Sequence, residues 1–144
     1  MKLLQHRLGV LGAAGLTVGA ALGGYATGAR ANGPGETRTT IFERRLANVP
    51  DKTLSAMTVD YAPGGVSCAH HHPKQAEVFA YVVFGAVRSK VNDEPEAVYQ
   101  AGEFWYEPPG SAHSVSANAS ETEPARILAV IVADPGVTLT TCDR

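Results

Sequence analysis

From residue 53 onward the chain alternates between apolar and polar positions. Met57, Val59 and Tyr61 occupy every second place in residues 53–61, the pattern of a strand with one buried face. Residues 77–84 form a dense β-branched and aromatic run that stops at Gly85. Residues 86–91 resume as a strand and end in the turn sequence Asn92-Asp93-Glu94-Pro95. A short strand over 97–100 turns through Ala101-Gly102-Glu103 into Phe104-Trp105-Tyr106. Further strands are expected over 113–117 and 126–133, the second largely apolar. Pro63-Gly64-Gly65, Pro108-Pro109-Gly110 and Glu121-Thr122-Glu123-Pro124 interrupt the pattern. A period of two with frequent turn signals predicts an all-β sandwich or barrel. Residues 32–40, rich in Gly, Pro and Thr, read as a linker or a loose first strand.

The N-terminal segment follows a different pattern. Lys2, His6 and Arg7 precede residues 8–26, which carry no charge, and Ala29-Arg30-Ala31 offers the small residues a signal peptidase reads. This order predicts a cleavable secretory signal over 1–31, a linker over 32–40 and a barrel over 41–141. The alternative is a retained membrane anchor, but Gly9, Gly12, Gly15, Gly19, Gly23 and Gly24 dilute the apolar run. No Arg-Arg pair precedes that run, which favours the general export route over the twin-arginine one. The mature domain is therefore expected to be periplasmic or secreted, with no membrane contact after cleavage.

Composition agrees with the pattern. The 15 Gly and 9 Pro among 144 residues, with 18% charged residues, fit short strands and tight turns better than long helices. The length allows one domain with a real core. A net charge of −2 leaves no basic stripe to neutralise phosphates, so a nucleic-acid partner is not expected. Cys68 and Cys142 are the two cysteines; a disulfide is permitted in an oxidising compartment, but two cysteines define no framework.

The histidines carry the candidate chemistry. Side chains at i and i+2 of a strand share a face, so His70 and His72 can converge and His71 points away. A third ligand must come from another strand, and His113 is the remaining histidine of the mature segment. Three neutral imidazoles suit one divalent transition metal (Fe, Mn, Ni, Zn or Cu) and leave room for an oxygen ligand or an open position. The competing reading is a surface His-rich loop beside Pro73 and a lone, hydrogen-bonded His113. Cys68, two residues before His70, could aim its thiol at the same point; the commoner fate of such a residue is a small buried hydrophobe. Tyr81, Tyr99, Tyr106, Phe79, Phe104 and Trp105 are expected in the core or lining the barrel, and Glu107 at the rim. Asn118-Ala119-Ser120 is a glycosylation sequon, with meaning only in a host that glycosylates. There is no nucleophile elbow, phosphate loop or Ser-His-Asp set.

Spacing adds a family resemblance. Gly64, five residues, His70-x-His72, four residues and Glu77 resemble the first motif of the cupin superfamily. Gly102, five residues, Pro108-x-Gly110, two residues and His113 resemble the second. The resemblance implies a single double-stranded β-helix, the jelly-roll barrel. It further implies a metal held inside by His70, His72, Glu77 and His113. Two departures stand out. Seven residues separate Glu77 from Gly85 where the family pattern has six, so counting back from Gly85 puts Val78 at the acid position. Glu77 is then either a ligand followed by a bulge or a solvent-facing carboxylate. Gln75 is a weaker substitute. The asparagine that follows the second-motif histidine, Asn118, comes one residue late.

The resemblance implies a metalloenzyme acting on a small organic molecule, most commonly a dioxygenase-like oxidoreductase. Metal-dependent lyases and isomerases are alternatives, as is a module that binds metal or ligand without turnover. Three intact histidines argue against a barrel that has lost its metal. A homodimer is allowed.

Overall fold

The computed structural model describes residues 31–144, so the expected signal lies outside the described residues apart from Ala31. Among the described residues the backbone forms ten strands and no helix. They are β1 (Glu36–Arg45), β2 (Thr53–Tyr61), β3 (His70–His71), β4 (Ala76–Phe84) and β5 (Ala86–Val91), followed by β6 (Ala97–Gln100), β7 (Phe104–Glu107), β8 (Ala112–Asn118), β9 (Ala125–Ala133) and β10 (Thr141–Cys142). Two five-stranded antiparallel sheets result, ordered β1-β2-β9-β4-β7 and β10-β3-β8-β5-β6. The chain changes sheet repeatedly, as at β4 to β5 and β8 to β9, which makes the double-sheet jelly roll. The segment read as linker or loose first strand is partly the latter: β1 begins at Glu36 and pairs with β2 from Glu36↔Tyr61 onward. A barrel starting at residue 41 is therefore too short.

Alternation builds the interior. Ala76, Val78, Ala80 and Val82 of β4 point inward, as do Ala125, Ile127, Ala129, Ile131 and Ala133 of β9. Their register sets Ala76 opposite Ala133, Val78 opposite Ile131, Ala80 opposite Ala129 and Val82 opposite Ile127. Small residues thus face small ones and branched residues face branched ones. The branched rows fill the barrel and the alanine rows leave depth between them.

Three bulges interrupt the ladders: one at Ile41 of β1 and two near the motif residues. In β4, Val82 pairs with Ile127 and Phe84 with Arg126, so Val83 is the extra residue. In β8, Lys90 pairs with Val115 and Val91 with His113, so Ser114 is extra. Each of these two accounts for one of the one-residue departures from the motif spacing, the long gap before Gly85 and the late Asn118. Asn118 still shapes its turn, donating from Nδ2 to the carbonyls of Ala62 and Glu123 and accepting from the Ser120 amide. Gly85, with φ 74°, joins the sheets; a Cβ there would lie 2.6 Å from the Pro124 carbonyl oxygen, so the sheet-to-sheet crossing requires glycine.

Cys68 and Cys142 form a disulfide across 74 residues of sequence. It ties the two-residue strand β10 to β3, where Cys142 pairs with His70 and Thr141 with His71. Both readings of Cys68 as a free cysteine, a thiol aimed at the histidines and a small buried hydrophobe, give way to this crosslink. Replacing both cysteines by serine should lower the unfolding free energy by about 2–4 kcal/mol, measured as a shift in urea midpoint against the oxidised protein.

Candidate metal centre

The three histidines meet because β3 and β8 are neighbours. His70 and His113 are direct partners in that ladder, and His72 lies just past the end of β3, held by its amide on the Ser111 carbonyl at 2.9 Å. All three are buried, at 7%, 5% and 3% exposure for His70, His72 and His113. The His70 ring centroid is 5.2 Å from that of His72 and 5.0 Å from that of His113. One donor atom from each lies within 4.8 Å of the others, so the three could hold a metal ion. His71 faces solvent and pairs with Asp143 at 2.9 Å.

Outer partners orient the rings. His70 Nδ1 lies 2.7 Å from the Cys68 carbonyl oxygen and His72 Nδ1 lies 2.6 Å from that of Leu139. A carbonyl only accepts, so each Nδ1 carries the proton and each Nε2 keeps the lone pair that a metal takes. His113 Nε2 lies 2.8 Å from Ser89 Oγ, which leaves its Nδ1 for the interior. Burial pushes the His70 pKa down to about 4, against the opposing hydrogen bond to Cys68. That ring is neutral at physiological pH, the form that ligates.

The acid expected on β4 does not join them. Glu77 lies on the outer face of β4, where its carboxylate accepts a 2.6 Å hydrogen bond from the Tyr106 hydroxyl. Val78 takes the inward position. The physical reason is parity: residues 70, 72, 76, 78, 80 and 82 all turn inward, and the bulge at Val83 comes too late to move Glu77. Gln75 is exposed in the turn before β4. Tyr106, Phe79, Tyr81 and Phe104 are also exposed, so these expected core or lining aromatics belong to the outer face, whereas Trp105 is buried and Tyr99 packs against the core cluster that contains it.

Sequence reasoning placed Glu107 at the rim, and the structure puts it inside. It is 2% exposed, with Oε2 3.1 Å from His72 Nε2 and Oε1 3.2 Å from His113 Nδ1. Trp105 Nε1 donates to its Oε1 at 3.0 Å. Burial acts to raise the Glu107 pKa, but its contacts with His113 and His72 outweigh this and hold it well below the ordinary carboxylate range. The signal was the i, i+2 relation: a Trp buried at 105 brings residue 107 to the same face.

The centre opens into a small cavity of about 40 Å³, room for a few waters or a ligand of a few atoms and well below the volume of drug-sized sites. Met57, Val59, Ala80, Ile127 and Ala129 supply apolar wall, and Arg38 lines the cavity beside Glu36. The Arg38 guanidinium lies 3.2 Å from the buried Glu36 carboxylate and donates to Thr140 Oγ1 at 3.2 Å.

Two facing sheets enclosing histidines from β3, its end and β8 define a jelly-roll barrel with a candidate metal centre. The cupin domain pattern matches residues 57–131, and the chain belongs to the cupin family. It is similar to germin-like protein 5-1 of Oryza sativa subsp. japonica, with 36% identity over 107 residues, 68% of this chain and 46% of that protein. The chain thus spans less than half the length of this relative. Among solved structures it resembles oxalate decarboxylase from Bacillus subtilis, at 26% identity and TM-score 0.60, covering 81% of this chain and 30% of that one. A cupin-2 domain from Rhodospirillum rubrum matches at 17% identity and TM-score 0.59, covering 79% and 69%, a likeness of fold alone.

A metal held by the three histidines should be indifferent to Glu77→Gln. Metal content and spectrum of that variant should equal those of the wild type, and a change in either would contradict the outward position of Glu77.

Proposed function

We propose that this chain is an exported, metal-dependent cupin that acts on a small, oxygen-rich organic molecule with dioxygenase-like oxidoreductase chemistry. The observation that carries this reading is the hydrogen-bond order of the centre. The Nδ1 protons of His70 and His72 are tied to outer carbonyls, so buried lone pairs converge in a cavity with apolar walls. Unligated, such lone pairs have no purpose that packing explains. His70, His72 and His113 would hold one divalent transition metal, which when bound would act as a Lewis acid or a site for dioxygen.

The chain's own residues would do the rest. The apolar wall of Met57, Val59, Ile127 and Ala129 would exclude water around the reacting group. Arg38 would turn an N–H toward an anionic oxygen of the substrate, with Glu36 and Thr140 fixing the guanidinium. Oxalate decarboxylase is named for a small dicarboxylate, and a carboxylate of that size suits both Arg38 and the cavity. Export is supported by the basic, apolar and small-residue order of residues 1–31 and by the Cys68–Cys142 disulfide, which persists in an oxidising compartment.

Protein purified without chelator or affinity tag should contain about one equivalent of transition metal per chain. His70→Ala, His72→Ala and His113→Ala should each lose it, and His71→Ala should retain it. Metal that survives His72→Ala and is lost in His71→Ala would sink the assignment. Dioxygen uptake or product release with a panel of small carboxylates then tests turnover; tight binding without turnover would make the chain a binding module.

For export, N-terminal sequencing of protein from its native host should find a mature start near Asn32. An intact Met1 in the membrane fraction would replace export with anchoring.

A further inference from the structure

Three neutral imidazoles leave the full charge of a divalent cation uncompensated inside the barrel, and the acid of the first motif points out to solvent. We propose that Glu107 of β7 supplies the missing anionic ligand, so that the centre is a three-histidine, one-carboxylate site whose acid comes from the second motif. The inference rests on the proposed metal at His70, His72 and His113.

Topology makes the exchange available. Val78 and Glu107 are direct partners in the β4–β7 ladder, and both side chains are buried inside the barrel. Directly paired residues have Cβ atoms about 4.5–5.5 Å apart. A carboxylate at residue 107 therefore reaches the space that one at residue 78 would fill. The acid has crossed one rung of the sheet, and an apolar Val takes the place it left.

Distances fit ligation. Glu107 Oε2 is 3.1 Å from His72 Nε2, and Oε1 is 3.2 Å from His113 Nδ1. Two ligand atoms, each about 2.0–2.2 Å from one ion, stand about 3–3.5 Å apart at tetrahedral or octahedral angles. The Oε2–His72 contact has the length of a polyhedron edge, and the Oε1 contact places His113 beside the same carboxylate.

Hydrogen-bond logic points the same way. His72 gives its Nδ1 proton to the Leu139 carbonyl, so a neutral His72 turns a bare lone pair toward Glu107 Oε2. Oε2 is buried and has no hydrogen-bond partner. Two facing lone pairs out of water repel, and a buried carboxylate oxygen without a donor is costly. A shared cation removes both problems. Oε1 differs, because it accepts the Trp105 Nε1 proton at 3.0 Å. That bond fixes the carboxylate plane and leaves Oε2 as a single-atom ligand. The competing arrangement is a second proton on His72, giving an imidazolium–carboxylate pair with no role in metal binding.

The test loads metal-free protein with Co(II) or Mn(II) and compares the wild type with Glu107→Gln, Glu77→Gln and the double variant Val78→Glu/Glu107→Gln. The amide of Glu107→Gln can still accept from Trp105, and thermal melts of the metal-free forms verify folding. Glu107→Gln should weaken binding about a hundredfold or more, at or beyond the upper end of what losing an outer-shell partner costs, and should change the Co(II) visible spectrum. Glu77→Gln should do neither. Returning the carboxylate to β4 in the double variant should recover at least about tenfold of the loss, a rescue that a purely structural role would not produce. Wild-type protein labelled with 13C at glutamate carboxylates should show 13C hyperfine coupling to bound Mn(II), a readout that needs no variant. Absence of that coupling, or unchanged affinity and spectrum in Glu107→Gln while the histidine variants lose metal, overturns the role of Glu107 and leaves the three-histidine reading standing. Failure of the wild type to bind any transition metal overturns that reading and this inference with it.

Discussion

A strand delivers a side chain to the inside of a closed double sheet only at every second residue. Everything about this centre follows from that parity. His70 and His72 enter the barrel and His71 leaves it; Val78 enters and Glu77 leaves; Trp105 and Glu107 enter together while Tyr106 turns outward to meet Glu77. Alanine, valine and isoleucine supply most of the buried apolar side chains, and the polar side chains that parity admits pair with one another or with backbone carbonyls. That pairing gathers three imidazoles and a carboxylate at one place and leaves apolar wall around them.

Parity can be reset only by an extra residue, and the chain uses that device where it does not disturb the ligands. The bulge at Val83 lies after the inward run of β4 and before the Gly85 crossing. The bulge at Ser114 follows His113 immediately, and the inward face of β8 then shifts to Ser116, whose hydroxyl pairs with Tyr61 at 2.7 Å. Bulges beside a site commonly re-aim the strand beyond it. Here they also lengthen the spacings between motif residues without moving the histidines.

The outer contacts of the rings come from distant parts of the chain. The carbonyl that orients His72 belongs to Leu139, in the tail that the Cys68–Cys142 disulfide and the β10–β3 pairing hold in place. The carbonyl that orients His70 belongs to Cys68 itself. One crosslink thus anchors the segments whose carbonyls orient two candidate ligands.

The alternation of residues 53–61, 77–84 and 126–133, with Gly and Pro at the breaks, was enough to read an all-β sandwich or barrel, and the cupin-like spacing around His70, His72 and His113 pointed to three converging imidazoles. Those features are local: period, turn chemistry and strand face belong to a few consecutive residues. The acid was different. Counting forward from His72 favoured Glu77, whereas counting back from Gly85 indicated Val78, and one chain position could not satisfy both counts. The burial alternation along β4 decided for Val78, and the pairing of β4 with β7 put Glu107 opposite it. The disulfide and the Leu139 contact were likewise settled by tertiary structure. Which residues meet across a barrel depends on register and strand order, and those are set by the joint packing of both sheets rather than by any single segment.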